Sequence, residues 1–292
     1  MPATMQRAVV CLASWLFMLP VVVTARPFVG GPPTVFPAPI VGSEGITFDR
    51  SGYLVVGTLT GDVRRIAPDG SASVLTNVGD ALAGMTGLRD GRILACSYAA
   101  ERVWQIQPDG TASILAAGIP GANFVVATRA GKIFVSSSTT GKIMEISTGI
   151  ALDAATGLSF PNGLALGRDH HLYVAELLQN RIARLPIAAD GTLGAAEVYA
   201  TGTNFVDGIA FDRHENLLAV GGDALYIVEH TTRVTTTVPA DPLLEWPSNL
   251  VFGQGHGFRR RDVFLVNYGL PLGSGTTILQ LRGNHAGAKL ER

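Results

Sequence analysis

Residues 44–75 read EGITFDRSGYLVVGTLTGDVRRIAPDGSASVL, and this stretch decides the fold because the rest of the chain repeats it. Four short apolar or alternating runs are separated by turns that are rich in glycine, aspartate and proline. Runs of this length with a period of two residues predict β-strands, and the turns predict tight reversals between them. One unit is therefore predicted to be a four-stranded antiparallel meander.

The unit recurs along the chain at intervals of about 40 residues, which is the length of one propeller blade. The second copy, which begins at residue 83, nearly repeats the first, with Arg89-Asp-Gly and Pro108-Asp-Gly in its turns. The predicted blade starts are Glu44, Ala83, Asn123, Asn162, Asp207 and Asn249. The chain is therefore predicted to be an all-β protein, a six-bladed β-propeller with four antiparallel strands per blade.

The sixth copy ends after its third strand, at residues 276–281, and a polar tail follows. An open edge between the first and last blades would leave backbone hydrogen-bonding groups unpaired. We expect residues 32–41, which precede the first repeat, to supply the missing outer strand. Pro37 and Pro39 oppose a long strand there because proline has no N–H to donate.

The N-terminal stretch is typical of a secretory signal, since Arg7 precedes an apolar run at residues 8–23 and small residues stand at Val23 and Ala25. We expect residues 1–25 to be a cleaved signal peptide, residues 26–292 to form one domain, and the protein to be secreted or periplasmic. The alternative is an uncleaved membrane anchor. That run is, however, shorter than the roughly 20 residues that a spanning helix needs.

Composition argues against nucleic acid as a partner and against an internal disulfide. A formal net charge of −1, with both signs interspersed, gives no basic field for nucleic acid, and no later run is apolar enough to span a bilayer. We expect a small-molecule partner. Only Cys96 remains after signal removal, so the mature chain has no internal disulfide. Cys96 stands in a strand-like run, where a buried, inert thiol is favoured over a nucleophile.

In a four-stranded meander the chain reverses direction at each turn. The entry to the first strand and the loop between the second and third strands therefore lie on one face of the propeller, and the other two turns lie on the opposite face. The Asp-Gly turns and the histidines of the first turns fall on the other face, which leaves a histidine-led triad unsupported. Five of the six blade starts carry a side-chain oxygen close to the channel axis, namely Glu44, Asn123, Asn162, Asp207 and Asn249.

Two carboxylates and three amides suit a hard cation such as Ca²⁺, and the set lacks the imidazole or thiolate that zinc prefers. Two nearby carboxylates also need a positive partner. The alternative is that Asn and Asp only shape the turn that enters the first strand. That alternative does not explain Glu44, because glutamate lacks the turn preference of Asn and Asp. We therefore predict a calcium site, or a site for another divalent cation, at the mouth of the channel.

The chain resembles the gluconolactonase and regucalcin family of six-bladed propellers and, more distantly, diisopropyl-fluorophosphatase and the paraoxonases. The residues that carry the resemblance are Ser43-Glu-Gly-Ile-Thr-Phe-Asp, Phe160-Pro-Asn-Gly-Leu-Ala-Leu and Val206-Asp-Gly-Ile-Ala-Phe-Asp. The resemblance implies that Glu44, Asn162 and Asp207 bind the metal, that Asn123 binds metal or substrate, and that the protein is a metal-dependent hydrolase of a lactone, ester or organophosphate. Asp207 is then the catalytic residue that activates water or attacks directly.

The substrate is predicted less specifically than the site. Family members often carry Asn-Asp where this chain has Asn123-Phe124, so the groups that would bind a sugar lactone are missing. Phe124, Phe205 and Trp246 suit a more apolar lactone or ester, or else pack between blades. Further candidates for substrate contact are Tyr98, Glu101, Glu176, Gln179, Asn249 and Asn267. The competing functions are a non-enzymatic binding propeller of the NHL-repeat kind and an enzyme similar to strictosidine synthase or to a streptogramin lyase.

Overall fold

The computed structural model describes residues 30–38, 40, 42–238, 240–269 and 273–288, so the predicted signal peptide lies outside the described residues. Within them the chain forms 24 β-strands and one short 3-10 helix at Leu177–Gln179. The strands build six antiparallel sheets of four strands each. The prediction of an all-β, six-bladed propeller is therefore confirmed.

Each blade runs from its inner strand outward, and the bounds follow chain order. Blade 1 contains β2 (Ser43–Phe48), β3 (Leu54–Thr58), β4 (Asp62–Ile66) and β5 (Ala72–Asn77). Blade 2 contains β6 (Met85–Gly87), β7 (Ile93–Ser97), β8 (Arg102–Ile106) and β9 (Ala112–Ala117). Blade 3 contains β10 (Ala122–Ala127), β11 (Ile133–Ser137), β12 (Lys142–Glu145) and β13 (Leu152–Ala155).

The second half of the ring repeats this order. Blade 4 contains β14 (Pro161–Leu166), β15 (His171–Glu176), β16 (Arg181–Pro186) and β17 (Glu197–Thr201). Blade 5 contains β18 (Val206–Phe211), β19 (Leu217–Gly221), β20 (Ala224–Val228) and β21 (Thr235–Thr237). Blade 6 contains β22 (Pro247–Phe252), β23 (Asp262–Asn267), β24 (Ile278–Arg282) and, as its outer strand, β1 (Thr34–Phe36).

The N-terminal strand closes the ring as the sequence predicts. Strand β1 pairs antiparallel with β24, Val35 lying opposite Leu279, and the strand stops before Pro37. Phe36 is buried and contacts Phe264 edge to face, with the ring centroids 5.4 Å apart. Pro39 and Val41 of the predicted closing segment lie outside the described residues.

The second strand of most blades is buried along its whole length, because the neighbouring blades cover both of its faces. Strands β3, β7, β11, β19 and β23 are buried at every residue. A strand that is covered on both faces needs a continuous apolar run rather than an alternating one. This packing explains runs such as Leu54-Val-Val in the sequence, whereas the outer strands, such as β5, are largely exposed.

The C-terminal residues form a second tie between blades. Asp212 and Gly287 make an isolated antiparallel bridge, the Arg213 N–H donates to the Ala286 carbonyl (2.8 Å), and the Ala288 N–H donates to the Phe211 carbonyl (2.9 Å). The sequence predicts only a polar tail here. The tail instead connects the last strand of blade 6 to the first turn of blade 5.

Glycine follows the blade-start residue wherever neighbouring inner strands approach most closely. A Cβ on Gly45 would lie 2.2 Å from the Ala83 carbonyl oxygen, and one on Gly163 would lie 2.3 Å from that of Asp207. Gly84 and Gly208 stand equally close to the next blade. The ring is completed by the Ser248 hydroxyl, which donates to the Glu44 carbonyl (3.2 Å).

We predict that Gly163→Ala destabilises the protein by about 3 kcal/mol, because its Cβ would overlap a carbonyl oxygen of fixed backbone. Urea unfolding followed by tryptophan fluorescence measures the change. The matched control is Gly31→Ala, where a Cβ meets nothing within 4 Å and the backbone φ is ordinary. Equal stability of the two variants would contradict the packing described above.

Candidate functional site

The site residues are aimed by an irregularity that recurs in the inner strands. In five blades the pairing between the first and second strands shifts by one residue, as between Ser43 and Gly45 of blade 1 and between Val206 and Ile209 of blade 5. An extra residue in one strand bends it and redirects a side chain, and such bulges recur beside active sites. Glu44, Asn123, Asn162 and Asp207 occupy the shifted position.

Asn249 does not share that position, so the predicted alignment of blade 6 is wrong by one residue. Pro247 pairs with Asn267 and Asn249 pairs with Val266, which makes Ser248 the equivalent of Glu44. Asn249 instead stands where four other blades have glycine. Its Oδ1 accepts a hydrogen bond from the Leu250 N–H (2.7 Å), and its buried Nδ2 has no hydrogen-bond partner among the described residues.

The carboxyl groups of Glu44 and Asp207 interact electrostatically at the mouth of the channel. Burial raises the pKa of Glu44 to about 7. Burial and the charge of Glu44 together raise the pKa of Asp207 well above its usual range. Glu44 remains partly exposed, whereas Asp207 is 7% exposed. No lysine or arginine of the described residues lowers either pKa, so the two negative charges are uncompensated within the protein.

Asn162 adds an unused oxygen to the same ring. Its side chain is 3% exposed, and its Oδ1 has no hydrogen-bond partner in the part of the chain that the structure describes. A buried carbonyl oxygen without a donor costs free energy, so such groups usually mark a missing ligand, ion or water. Together with two uncompensated carboxylates, it forms the oxygen donor set that Ca²⁺ prefers.

The donor set therefore fits a hard divalent cation, with Glu44, Asn162 and Asp207 as ligands and Asn123, which is 4% exposed, beside them. Among the described residues no group of three or more His, Cys, Asp or Glu side chains is arranged to hold a metal ion. That agrees with a site in which amides supply part of the oxygens. A soft or borderline metal would lack its usual nitrogen or sulfur ligands here.

Two tyrosines of the mouth lie close to the carboxylates. Burial, and after it the charge of Glu44, raises the pKa of Tyr98. Burial, then Glu44 and then Asp207 raise the pKa of Tyr268. Both phenols are therefore protonated donors at neutral pH. Tyr268 is not among the residues predicted from the sequence, although it directly follows strand β23 just as Tyr98 follows strand β7.

The remaining predicted substrate contacts differ in position. Glu176 is fully buried and both of its oxygens are used, since Oε1 accepts from the Ser159 N–H (2.8 Å) and Oε2 pairs with Arg181 (2.5 Å). That pairing orders the loop. It also accounts for the burial of Glu176, so no contact with substrate is needed to explain it. Glu101 is exposed on the same face with a left-handed backbone (φ 54°).

Asn267 and Gln179 also separate into a structural and an exposed position. The Asn267 amide donates to the Leu243 carbonyl (2.7 Å) and accepts from the Glu245 N–H (3.2 Å), so it holds a loop. Gln179 is exposed in the 3-10 helix. Phe124 is only 8% exposed and lines an apolar cavity of about 100 Å³ between the inner strands, below the mouth rather than at its rim.

The rim carries aromatic residues in a strained backbone conformation. The residue two positions before the donor position has a left-handed backbone in five blades, at Gly42, Gly121, Phe160, Phe205 and Trp246. The three aromatic residues have φ values of 52°, 44° and 52°, a conformation that bulky side chains rarely adopt. Phe205 and Trp246 lie 5.5 Å apart between ring centroids, and Phe205 is 38% exposed.

The thiol and the imidazoles do not join the site chemistry. Cys96 is fully buried, and burial raises its thiol pKa well above the usual range, as expected for an inert thiol. His285 lies 3.3 Å from the Asp212 carboxylate and contacts the His214 ring, and His230 lies 3.4 Å from Glu215. These pairs belong to turns and tail at the end of the propeller opposite the mouth.

Fold and site together define a class: a six-bladed propeller whose inner strands bring carboxyl and amide groups together at one mouth of the channel. Residues 116–260, which run from blade 2 into blade 6, match the family model described as the SMP-30/Gluconolactonase/LRE-like region. The resemblance to gluconolactonases is therefore confirmed for this region. No curated protein sequence matches the chain.

Solved structures confirm the architecture. The gluconolactonase of Xanthomonas campestris aligns with a TM-score of 0.69 and 21% identity, over 85% of this chain and 89% of that chain. Regucalcin of Agrobacterium tumefaciens, a calcium-binding protein, aligns with a TM-score of 0.68 and 17% identity, over 88% and 97%. Virginiamycin B lyase of Staphylococcus aureus also aligns, with a TM-score of 0.61 and 19% identity over 82% of each chain. At these identities the likeness establishes the fold alone.

We predict that Glu44→Gln stabilises the chelator-treated protein by about 2 kcal/mol more at pH 8 than at pH 5. The folded pKa of the Glu44 carboxyl is raised, so ionising it costs stability as pH rises from the unfolded value toward about 7. Urea unfolding with chelator at both pH values measures the difference. Glu101→Gln, an exposed glutamate on the same face, serves as the control and should be neutral. An equal effect of Glu44→Gln at both pH values would contradict the electrostatic account.

Proposed function

We propose that this protein is a divalent-metal-dependent hydrolase of lactones or esters that acts outside the cytoplasm. The observation that carries the proposal is the pair of uncompensated carboxylates, Glu44 and Asp207, next to the unpartnered Oδ1 of Asn162. A protein that used this mouth only to bind a peptide or a glycan would have no need to bury two like charges there. The match to the gluconolactonase-like region supports a hydrolase.

Glu44, Asn162 and Asp207 would hold a calcium-type cation, and Asn123 would complete the set on the side of blade 3. When bound, such a cation supplies a Lewis acid that polarises a carbonyl or phosphoryl oxygen. A cation bound there would compensate both carboxylates at once and so favour their ionised forms.

Asp207 is the residue that we assign to proton transfer. It is buried beside Glu44, so it is an ionised carboxylate only when a cation compensates its charge. In that state it accepts a proton from the water that attacks the ester carbonyl, and it returns the proton to the alkoxide oxygen as the acyl C–O bond breaks. Alternatively its oxygen attacks the carbonyl carbon, the alkoxide leaves as the C–O bond breaks, and water then hydrolyses the acyl-enzyme. Tyr98 and Tyr268 donate hydrogen bonds from their phenols and orient the substrate oxygen.

The rim favours a substrate with an apolar group. Phe205 and Trp246 expose their rings beside the mouth. Deeper in the channel, the cavity between the inner strands is lined by apolar side chains such as Phe124. A sugar lactone needs several hydrogen-bonding groups, whereas a ring or an alkyl chain needs buried apolar area. We therefore assign the site to lactones or aryl esters with an apolar substituent.

The first test combines metal analysis with a substrate panel. We expect purified protein to bind calcium, to be stabilised by it, and to hydrolyse lactones or aryl esters only without chelator. Asp207→Asn should lower kcat at least about 100-fold, the usual contribution of a general base. Asp223→Asn, an exposed aspartate in a loop on the same face, should stay within about twofold, as expected for a solvated surface group.

Two results would overturn the proposal. Full turnover by Asp207→Asn would exclude its assigned role. Calcium binding without turnover of any lactone or ester would instead favour a binding propeller with a structural cation.

A separate test concerns the aromatic rim. Trp246→Ala should raise KM for aryl and long-chain esters by about tenfold, because about 1.4 kcal/mol of apolar contact is lost, while kcat changes little. Small unsubstituted lactones should show an unchanged KM. Val198→Ala, an exposed valine on an outer strand, is the control. A uniform loss of kcat on every substrate would show that Trp246 only packs between blades.

A further inference from the structure

Four arginines form an exposed basic patch at the end of blade 6 opposite the site. Arg259, Arg260 and Arg261 lie in the turn between β22 and β23, and Arg282 ends β24; together they are called the arginine patch. All four are exposed. Within the described residues none of them forms an ion pair.

The acid nearest in sequence does not neutralise the patch. Asp262 is 3% exposed, and its Oδ2 accepts a hydrogen bond from the Gln280 amide (2.6 Å). The chain as a whole has a formal net charge of −1, so four unpaired arginines side by side are a local excess rather than a general basic character. Like charges held together repel one another, and an anionic partner relieves that cost.

The backbone of the patch is fixed in place. The Arg259 carbonyl accepts from the Asp262 N–H (3.0 Å), the Arg260 carbonyl from Gly287 (3.2 Å), and the Arg261 carbonyl from Gly283 (3.0 Å). The tail and the turn thereby hold three consecutive arginines on one surface. The patch surrounds an open depression of about 620 Å³.

The chain enters the described structure at this patch. The Gly30 N–H donates to the Arg282 carbonyl (2.7 Å), and Gly30 lines the same depression. The apolar run of the sequence ends at Val23, so six residues connect it to Gly30. Six extended residues span roughly 20 Å at most. Until the predicted signal peptide is cleaved, its apolar run lies in the membrane, so the arginine patch is within about 20 Å of the lipid headgroups during export.

We propose that the arginine patch docks on an anionic membrane surface. Guanidinium groups form bidentate hydrogen bonds with phosphate oxygens, and the headgroups supply the negative charge that the fold does not. Docking on this end of blade 6 directs the opposite mouth, with Glu44 and Asp207, away from the lipid and toward solvent. The proposal does not depend on the hydrolase assignment, because none of its residues belongs to the site.

The test uses the full-length chain and two kinds of vesicle, neutral phosphatidylcholine and mixtures with anionic phosphatidylglycerol. The apolar run contributes to binding on both, so the patch is measured by the ratio of anionic to neutral partitioning. Each arginine near an anionic surface strengthens partitioning roughly fivefold at low salt. We expect Arg259→Gln/Arg260→Gln to lower the ratio roughly 20-fold, and added salt to lower the wild-type ratio likewise.

The matched control is Arg89→Gln/Arg129→Gln, which removes two exposed, unpaired arginines from the turns of blades 2 and 3 across the ring. It should leave the ratio within about twofold, since it changes net charge equally but not the patch. Equal binding to neutral and anionic vesicles would overturn the proposal, as would an equal loss in the control. Unchanged urea-unfolding midpoints in both variants show that the fold is intact.

Discussion

The structure depends on the close approach of six inner strands around one axis. Where a glycine follows the donor position, the backbone of one blade touches the carbonyl of the next, as Gly163 touches Asp207 and Gly45 touches Ala83. A side chain at these glycines would push the strands apart. The residue before the glycine then has no space outward, so the bulge directs it to the mouth of the channel. The packing that closes the ring is thus also what assembles the site.

This link explains why the fold, and the donor positions of most blades, could be predicted from the sequence. Six repeats with the same turns fix the number of blades, and an incomplete last repeat implies closure by the N-terminal strand. Glu44, Asn162 and Asp207 are recognisable because each precedes a glycine. In blade 6 that glycine is replaced by Asn249, and aligning the asparagine with the donors shifted the register by one residue. Only the strand pairing reveals Ser248 as the equivalent position.

Other features depend on contacts between residues distant in sequence, which no repeat encodes. Tyr268 directly follows the second strand of its blade, as Tyr98 does, but the repeat does not show that its phenol lies near Glu44 and Asp207. The attachment of the tail to blade 5 through Gly287 follows the same rule. Glu176 illustrates the reverse case, since a charged residue in a predicted substrate loop proved to be fully buried and paired with Arg181.

The donor and rim positions obey different constraints, and the difference explains why the site is more specific than the substrate. A donor residue must occupy the bulge and precede a residue that fits against the next blade, which leaves few possible positions along the chain. The rim residue two positions earlier needs only a left-handed backbone, and it is glycine at Gly42 and Gly121 but aromatic at Phe160, Phe205 and Trp246. Glycine adopts that conformation without strain, whereas an aromatic residue pays roughly 1–2 kcal/mol for it. Such strain persists only where the rest of the ring enforces it, so the aromatic side of the rim is the place where a common scaffold acquires its own selectivity.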